Sequence, residues 1–391
     1  MNSQNTPVHI RLWHRSFWLM SIATLLLTMS VYMLLPTLVD WLLTSQSFSA
    51  VESGLAIAVF GIGLFAMGPF VSFLVQHYRR NVVCIWSMLA VGALIGLFYY
   101  LDCDHFCFTD LWIVLLLRFA LGAAFGLAQM VLTSTLIIDT SESFQRTEAN
   151  HSAAWFSRFA LSLGPLAGLI ISRLAGFEVM LLSAMGCAIA SALLVMFVRF
   201  PFRTPDENIS FTSLDRFFLP HGSLLFVNLL LTTLAVGFVL SVSCSELFYA
   251  LMMVGFMLAI LAQRFAFRDA EEKSEVFTGL ILILAALLMM LTRTQQIVTY
   301  AVPVFIGMGI GTIGSRFLLF FIKLSRHCQR GTSHSTFLLG WESGIAWGFG
   351  LGVALFLNQQ KLALITSLSL IVAALVMYNF THNWFSRNKN R

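Results

Sequence analysis

Three arginines and three acids lie within or at the ends of long apolar stretches: Arg118, Arg158 and Arg316, with Asp40, Asp139 and Glu342. A charge at the centre of a membrane helix costs roughly 2.5–3.5 kcal/mol on insertion scales, so each needs a partner or a task. Arg118 sits about 10 Å inside its stretch, too deep to reach water easily. It either binds an anionic group, moves with a proton, or is fixed in a pair with an acid. Asp40, which follows Pro36 at the end of the first stretch, is the candidate partner. A carboxyl that alternates between an ion pair and a desolvated site takes up and releases a proton. Its other reading is an interfacial acid that caps the stretch. Asp139 and Arg158 face each other across one short loop. Lys323 and Glu342 do so across another, with the signs reversed. Each pair is expected to clamp a helix hairpin, as a gate that breaks and reforms or as static neutralisation of buried charge. Arg316 offers Glu342 a second partner, and Glu342 is alternatively a proton site in its own right.

The elements that position these groups are twelve apolar stretches: 17–39, 54–75, 82–101, 111–138, 152–171, 179–198, 223–242, 247–262, 276–291, 297–321, 335–357 and 362–380. Most approach the roughly 20 residues that span a bilayer as helix. Hydrocarbon requires every backbone polar group to be satisfied internally, so such stretches imply helices. The alternation over about ten residues that marks membrane strands is missing. The fold class is therefore an all-α membrane protein. Of the 23 Lys and Arg residues, Arg173, Arg293 and Lys361 fall on one side and Arg118, Arg158 and Arg316 fall within spans. All the others fall on the second side once the N-terminus is placed there. Short loops keep their basic residues in the cytoplasm, so both termini are expected to be cytoplasmic.

Composition excludes other classes. The chain is 58% hydrophobic and 10% charged over 391 residues, where a soluble chain carries about a quarter charged residues. The net charge of +5 belongs to loop anchoring; no basic run is interleaved with aromatics as a nucleic-acid surface requires. The first apolar stretch is too long for a cleavable signal and lacks a small-residue cleavage site, so it reads as a retained helix. No Walker-type loop, His-Glu-x-x-His or nucleophile elbow occurs, and the loops are too short for a catalytic domain. An enzyme is not expected, nor a cofactor. Cys103 and Cys107 in Asp-Cys-Asp-His-Phe-Cys lie in an ordinary polar loop, form a disulfide, or hold a metal with His105.

The chain divides at its longest hydrophilic interruption. We expect a six-helix unit over 1–198, a cytoplasmic linker over 199–222 and a second six-helix unit over 223–391. The halves repeat weakly. Gln145-Arg146 recurs as Gln329-Arg330; Gly164 and Gly168 align at the same offset with Gly348 and Gly352. Leu74-Val-Gln-His-Tyr resembles Leu261-Ala-Gln-Arg-Phe. These matches favour parallel repeats about an axis along the membrane normal.

Twelve spans, a long central loop and repeated inner motifs resemble the major facilitator superfamily, of bacterial type, over essentially the whole chain. Its pattern after span two is Gly-x-x-x-Asp-Arg-x-Gly-Arg-Arg; here the chain reads Ser72-Phe-Leu-Val-Gln76-His77-Tyr78-Arg79-Arg80-Asn81. Arg80 keeps the pattern and is assigned to gating, while Gln76 replaces the acid. Arg118 with Gly122 and Gly126 resembles the arginine-plus-glycine stretch of span four. Gly164-Pro165-Leu-Ala-Gly168 resembles a span-five signature that the family associates with antiporters. Pro165 should also loosen its helix. The resemblance implies two six-helix bundles around a central cavity lined by spans one, four, seven and ten. Tyr32, Gln129, Asn228 and Tyr300 lie on those spans as candidate substrate hydrogen-bonders, each with an interhelical contact as its other reading.

The expected function is secondary active transport of a small organic solute by alternating access in the inner membrane. Proton-coupled efflux leads, and proton-coupled uptake is the alternative. A scaffold without transport and a lipid-acting enzyme are remoter readings. The expected partners are the solute, protons and the bilayer, with the chain monomeric.

Overall fold

The computed structural model describes residues 11–103, 110–142, 144–200, 210–243, 245–293 and 295–389, the side chains of Asp102, Cys103 and His327 excepted. Residues 104–109, with His105 and Cys107, and residues 201–209 of the linker lie outside the described residues. Twelve helices are long and apolar enough to cross a membrane. They are α1 (Arg15–Thr44), α2 (Ala50–His77), α3 (Arg80–Leu101), α4 (Leu111–Asp139), α5 (Arg146–Ala175), α6 (Phe177–Met196), α7 (Pro220–Val242), α8 (Glu246–Phe265), α9 (Glu272–Thr292), α10 (Gln296–Leu324), α11 (Arg330–Phe356) and α12 (Gln360–Asn388). No strand occurs among the described residues. Several helices run past the apolar stretches. α5 begins at Arg146 and not near residue 152, because polar residues continue a helix once it has left the hydrocarbon.

The helices form two six-helix bundles. In the first, α1 packs on α5 and α6, α2 on α4, and α3 on α4 and α6. In the second, α7 packs on α11 and α12, α8 on α10, and α9 on α10 and α12. The second bundle repeats the pairings of the first. Small residues make the close approaches. A Cβ added at Gly122 would lie 2.2 Å from the Phe60 carbonyl oxygen of α2, and one at Gly307 would lie 2.2 Å from that of Met252 in α8. Without the glycines these backbones could not meet.

The first and last described residues and the described part of the linker lie at one end of the molecule, called the basic end below. His14 Nε2 meets the Thr140 carbonyl at 3.1 Å, and the His221 ring lies 5.6 Å from that of Trp384. The linker's second half straps the bundles together there. The Arg216 amide donates to Thr332 Oγ1 at 2.8 Å and its guanidinium to Thr135 Oγ1 at 3.0 Å. Arg216 takes a left-handed φ of 58° to do so, a conformation rare outside glycine. Gly331 of α11 lies against Ser134 of α4 so closely that an added Cβ would be 2.6 Å from the Ser134 carbonyl oxygen. At the far end, Gly54 of α2 and Gly350 of α11 approach equally closely.

Candidate functional site

Two local irregularities aim side chains at the middle of the molecule. Pro36 has no amide hydrogen for the Tyr32 carbonyl, and α1 is interrupted between Tyr32 and Leu34. Tyr32 stands at that break. Gly164 of α5 makes room for it: an added Cβ would lie 2.7 Å from the Tyr32 Cβ. In α4, residues Leu132–Leu136 form a π turn just beyond Gln129. Such turns recur at functional sites because they re-aim side chains.

These features bring Tyr32 and Gln129, from the first bundle, to Glu342 of α11 in the second. The Tyr32 hydroxyl donates to Glu342 Oε2 at 2.6 Å, and Gln129 Nε2 donates to Oε1 at 2.9 Å. The carboxyl is buried and has only neutral partners. The crevice beside it, between Leu64, Gly126 and Leu338, is too tight for water. The expected Glu342 partners are elsewhere. Lys323 pairs with Glu272 and Arg316 with Glu275, both across α9 and α10. Glu342 thus stands at the centre and not in a clamp at the basic end.

Asp139 is also paired differently. Arg80 Nη1 lies 2.5 Å from Asp139 Oδ2, across α3 and α4. The Asp139–Arg158 clamp across α4 and α5 does not form. Arg158 is 1% exposed, and its Nε, Nη1 and Nη2 have no acceptor. Its guanidinium carbon lies 4.5 Å from the Trp155 ring and 5.9 Å from that of Phe337. His334 is buried nearby with both ring nitrogens unpartnered.

The Arg118–Asp40 pair does not form either. Arg118 is buried in α4, donates from Nε to the Ala56 carbonyl at 3.1 Å, and lies 5.0 Å over the Phe60 ring. It ties α4 to α2, with Nη1 left unpartnered. Asp40 is exposed at the far end. It lines a cleft of about 690 Å³ between the bundles, with Pro36, Thr37, Arg173 and Glu246. Asn228 and Tyr300 stay away from the centre. Asn228 Nδ2 bonds the Ala374 carbonyl of α12 at 2.9 Å, the interhelical contact that was its other reading. Tyr300 is 45% exposed. Pro165 lies inside α5, buried, one residue beyond Gly164.

The sequence reading missed His151 and His334. His151, Trp155 and Arg158 lie on one face of α5; His334, Phe337 and Trp341 lie on one face of α11. The i, i+3/i+4, i+7 spacing was the available signal. His151 Nε2 contacts Ser315 Oγ at 2.5 Å, and Ser315 donates to Gln263 Oε1 at 3.0 Å. No group of three or more His, Cys, Asp or Glu fit to hold a metal occurs among the described residues.

Paired six-helix bundles with buried polar groups meeting between them define the architecture of a membrane transporter. A family model described as Major Facilitator Superfamily matches residues 20–350. The chain belongs to that superfamily. No curated protein matches it in sequence. Solved structures share its fold at low identity. The nucleoside transporter NupG, as a point mutant, matches with a TM-score of 0.64 at 14% identity, covering 93% of this chain and 100% of that one. A bacterial homologue of the iron transporter ferroportin, outward-facing, gives 0.62 at 15%, with 93% and 98% covered. A bacterial homologue of the human lysosomal transporter Spinster, inward-facing and unoccupied, gives 0.67 at 12%, with 96% and 98% covered.

Proposed function

We propose that the chain is a secondary transporter of a small organic solute, with Glu342 as the proton-coupling group. The observation that carries this reading is the buried Glu342 carboxylate, held by Tyr32 and Gln129 from the opposite bundle. As an anion it accepts both bonds and ties the bundles at their centre. A proton on it removes the charge that strengthens those bonds. The tie then loosens and the bundles can rock. A desolvated carboxyl without a counter-ion stays charged only at a cost, and water reaching it from either face changes that balance.

The remaining assignments follow from this one. The bundles are taken as 1–198 and 223–391, joined by the linker. The basic end is placed in the cytoplasm of a bacterial inner membrane, by the distribution of Lys and Arg. There the Arg216 strap and the Gly331–Ser134 approach form the cytoplasmic gate. Arg80–Asp139, Arg316–Glu275 and Lys323–Glu272 keep each half rigid as the gate moves. The far-end cleft at Asp40 is the outer vestibule. Gly164-Pro165, with its likeness to the antiporter signature, favours efflux by proton antiport over uptake by symport. Gly164 also lets α1 slide on α5 beside Tyr32. The working unit is a monomer.

Proteoliposomes test the reading. A panel of labelled organic solutes is assayed under imposed proton gradients of both signs. Antiport drives solute against the proton flow and symport drives it with the flow. Glu342→Gln is expected to abolish gradient-driven movement while leaving exchange of solute across the membrane. Undiminished gradient-driven flux in Glu342→Gln removes the proton role.

A further inference from the structure

Arg158 has no part in the proton step just described, and its surroundings are unusual for a buried cation. Three guanidinium nitrogens are without acceptors at 1% exposure. A guanidinium carries five N–H donors in a planar fork suited to a carboxylate or phosphate. Leaving such donors unpaired in a low-dielectric interior is expensive. The two buried acids of the second bundle are engaged elsewhere: Glu275 with Arg316, and Glu342 with Tyr32 and Gln129. The walls are aromatic. Trp155 lies on Arg158's own helix and Phe337 on α11 of the other bundle. Gly314 of α10 completes the wall, since an added Cβ would lie 3.3 Å from Arg158 Nε and 2.5 Å from the Trp341 ring. His334, also on α11, adds a ring with both nitrogens unpartnered.

We propose that Arg158 is the anion-binding group of the transport site, and that the solute is an organic anion with an apolar or aromatic body. The anionic head takes the Arg158 fork, with His334 as an added hydrogen-bond donor. The body takes over the faces of Trp155 and Phe337 that the guanidinium now covers. Because these two rings belong to different bundles, a bound solute is gripped by both halves, and separating them opens the site to one face. A structural arginine would be expected to meet a fixed acid or backbone carbonyls, as Arg80 and Arg118 do. A neutral solute would leave the guanidinium charge uncompensated.

The inference deepens the transport reading and rests on it for the solute's role, but its test needs no flux. The full chain in lipid nanodiscs is titrated with benzoate, phenylphosphonate, benzenesulfonate and neutral benzamide, and melting temperature and calorimetric binding are recorded. At least one anion is expected to bind and raise the melting temperature, and benzamide is not. Arg158→Gln is expected to lose that response. Arg158→Lys, which keeps the charge without the planar fork, is expected to weaken it roughly ten- to a hundredfold. Arg158→Lys also serves if Arg158→Gln does not fold. No response to any of the three anions overturns the inference. So does an equal response to benzamide, or wild-type affinity in either variant. A chain that binds the anion but transports nothing retains this site and loses the transport reading. A chain that transports solute and ignores all three anions does the reverse.

Discussion

The charges at the basic end and those at mid-membrane follow opposite rules. Arg80 meets Asp139, Arg316 meets Glu275, and Lys323 meets Glu272. Each pair lies within one bundle, and the first two occupy equivalent helix pairs, α3–α4 and α9–α10. At the centre, Arg158 meets no acid, and Glu342 meets only neutral groups from the opposite bundle. Apart from the half-exposed Lys323, these are costly charges in largely buried positions. The paired ones neutralise each other within a bundle. Arg118 also meets no acid, but it rests on the Ala56 carbonyl inside the first bundle; Glu342 and Arg158 stand where the bundles meet, and on the proposed reading their partners are a proton and a solute that come and go. That reading separates static neutralisation from transport chemistry in space.

Four experiments bear on that contrast. The largest stability loss is expected for Arg316→Ala. Glu275 is fully buried, and removing one member of a buried pair costs about 3–5 kcal/mol. Denaturation in detergent should register it, and exchanging both residues for apolar ones should recover most of the loss. A small effect of Arg316→Ala would mean that the paired charges are not structural. Next, Gly164→Val overpacks the contact with the Tyr32 Cβ, at a cost of about 1–3 kcal/mol. It should displace Tyr32 from Glu342 and slow flux more than it lowers stability. Equal losses in both would make the glycine a mere packing residue. Lys323→Ala should cost no more than about 1 kcal/mol, because its side chain is 44% exposed and such pairs are weak. Arg158→Gln should leave stability unchanged or raise it, since it deletes a charge that no acid compensates. A loss of several kcal/mol there would reveal a structural partner and erase the distinction.

The sequence made the helices legible and the pairings only in part. Span positions follow from hydropathy, and each of the twelve stretches overlaps one helix. The repeat of Gly164 and Gly168 in Gly348 and Gly352 places glycines on matching interfaces: α5 against α1, and α11 against α7. Equal spacing across a loop, however, suggested that α4 clamps α5 and that α10 clamps α11. In the folded chain Asp139 turns to α3, and Lys323 and Arg316 turn to α9. A separation in sequence does not say how a helix is rotated about its axis, nor which of two neighbours it faces. Arg118 and Asp40 failed as a pair for a similar reason. One is buried against α2, and the other is exposed at the far end.

By itself the sequence determined that this chain crosses a membrane twelve times, with its basic loops gathered on one side. The physical reason is local: an apolar run must become a helix in hydrocarbon, and charged loops stay out of it, wherever their neighbours lie. Only the tertiary structure decided that Tyr32 and Gln129 converge on Glu342 and that Arg158 stands between two bundles without an acid. Those contacts depend on helix rotation and on the fit of small residues between backbones. Both are set by packing among distant segments, which no single stretch of chain encodes.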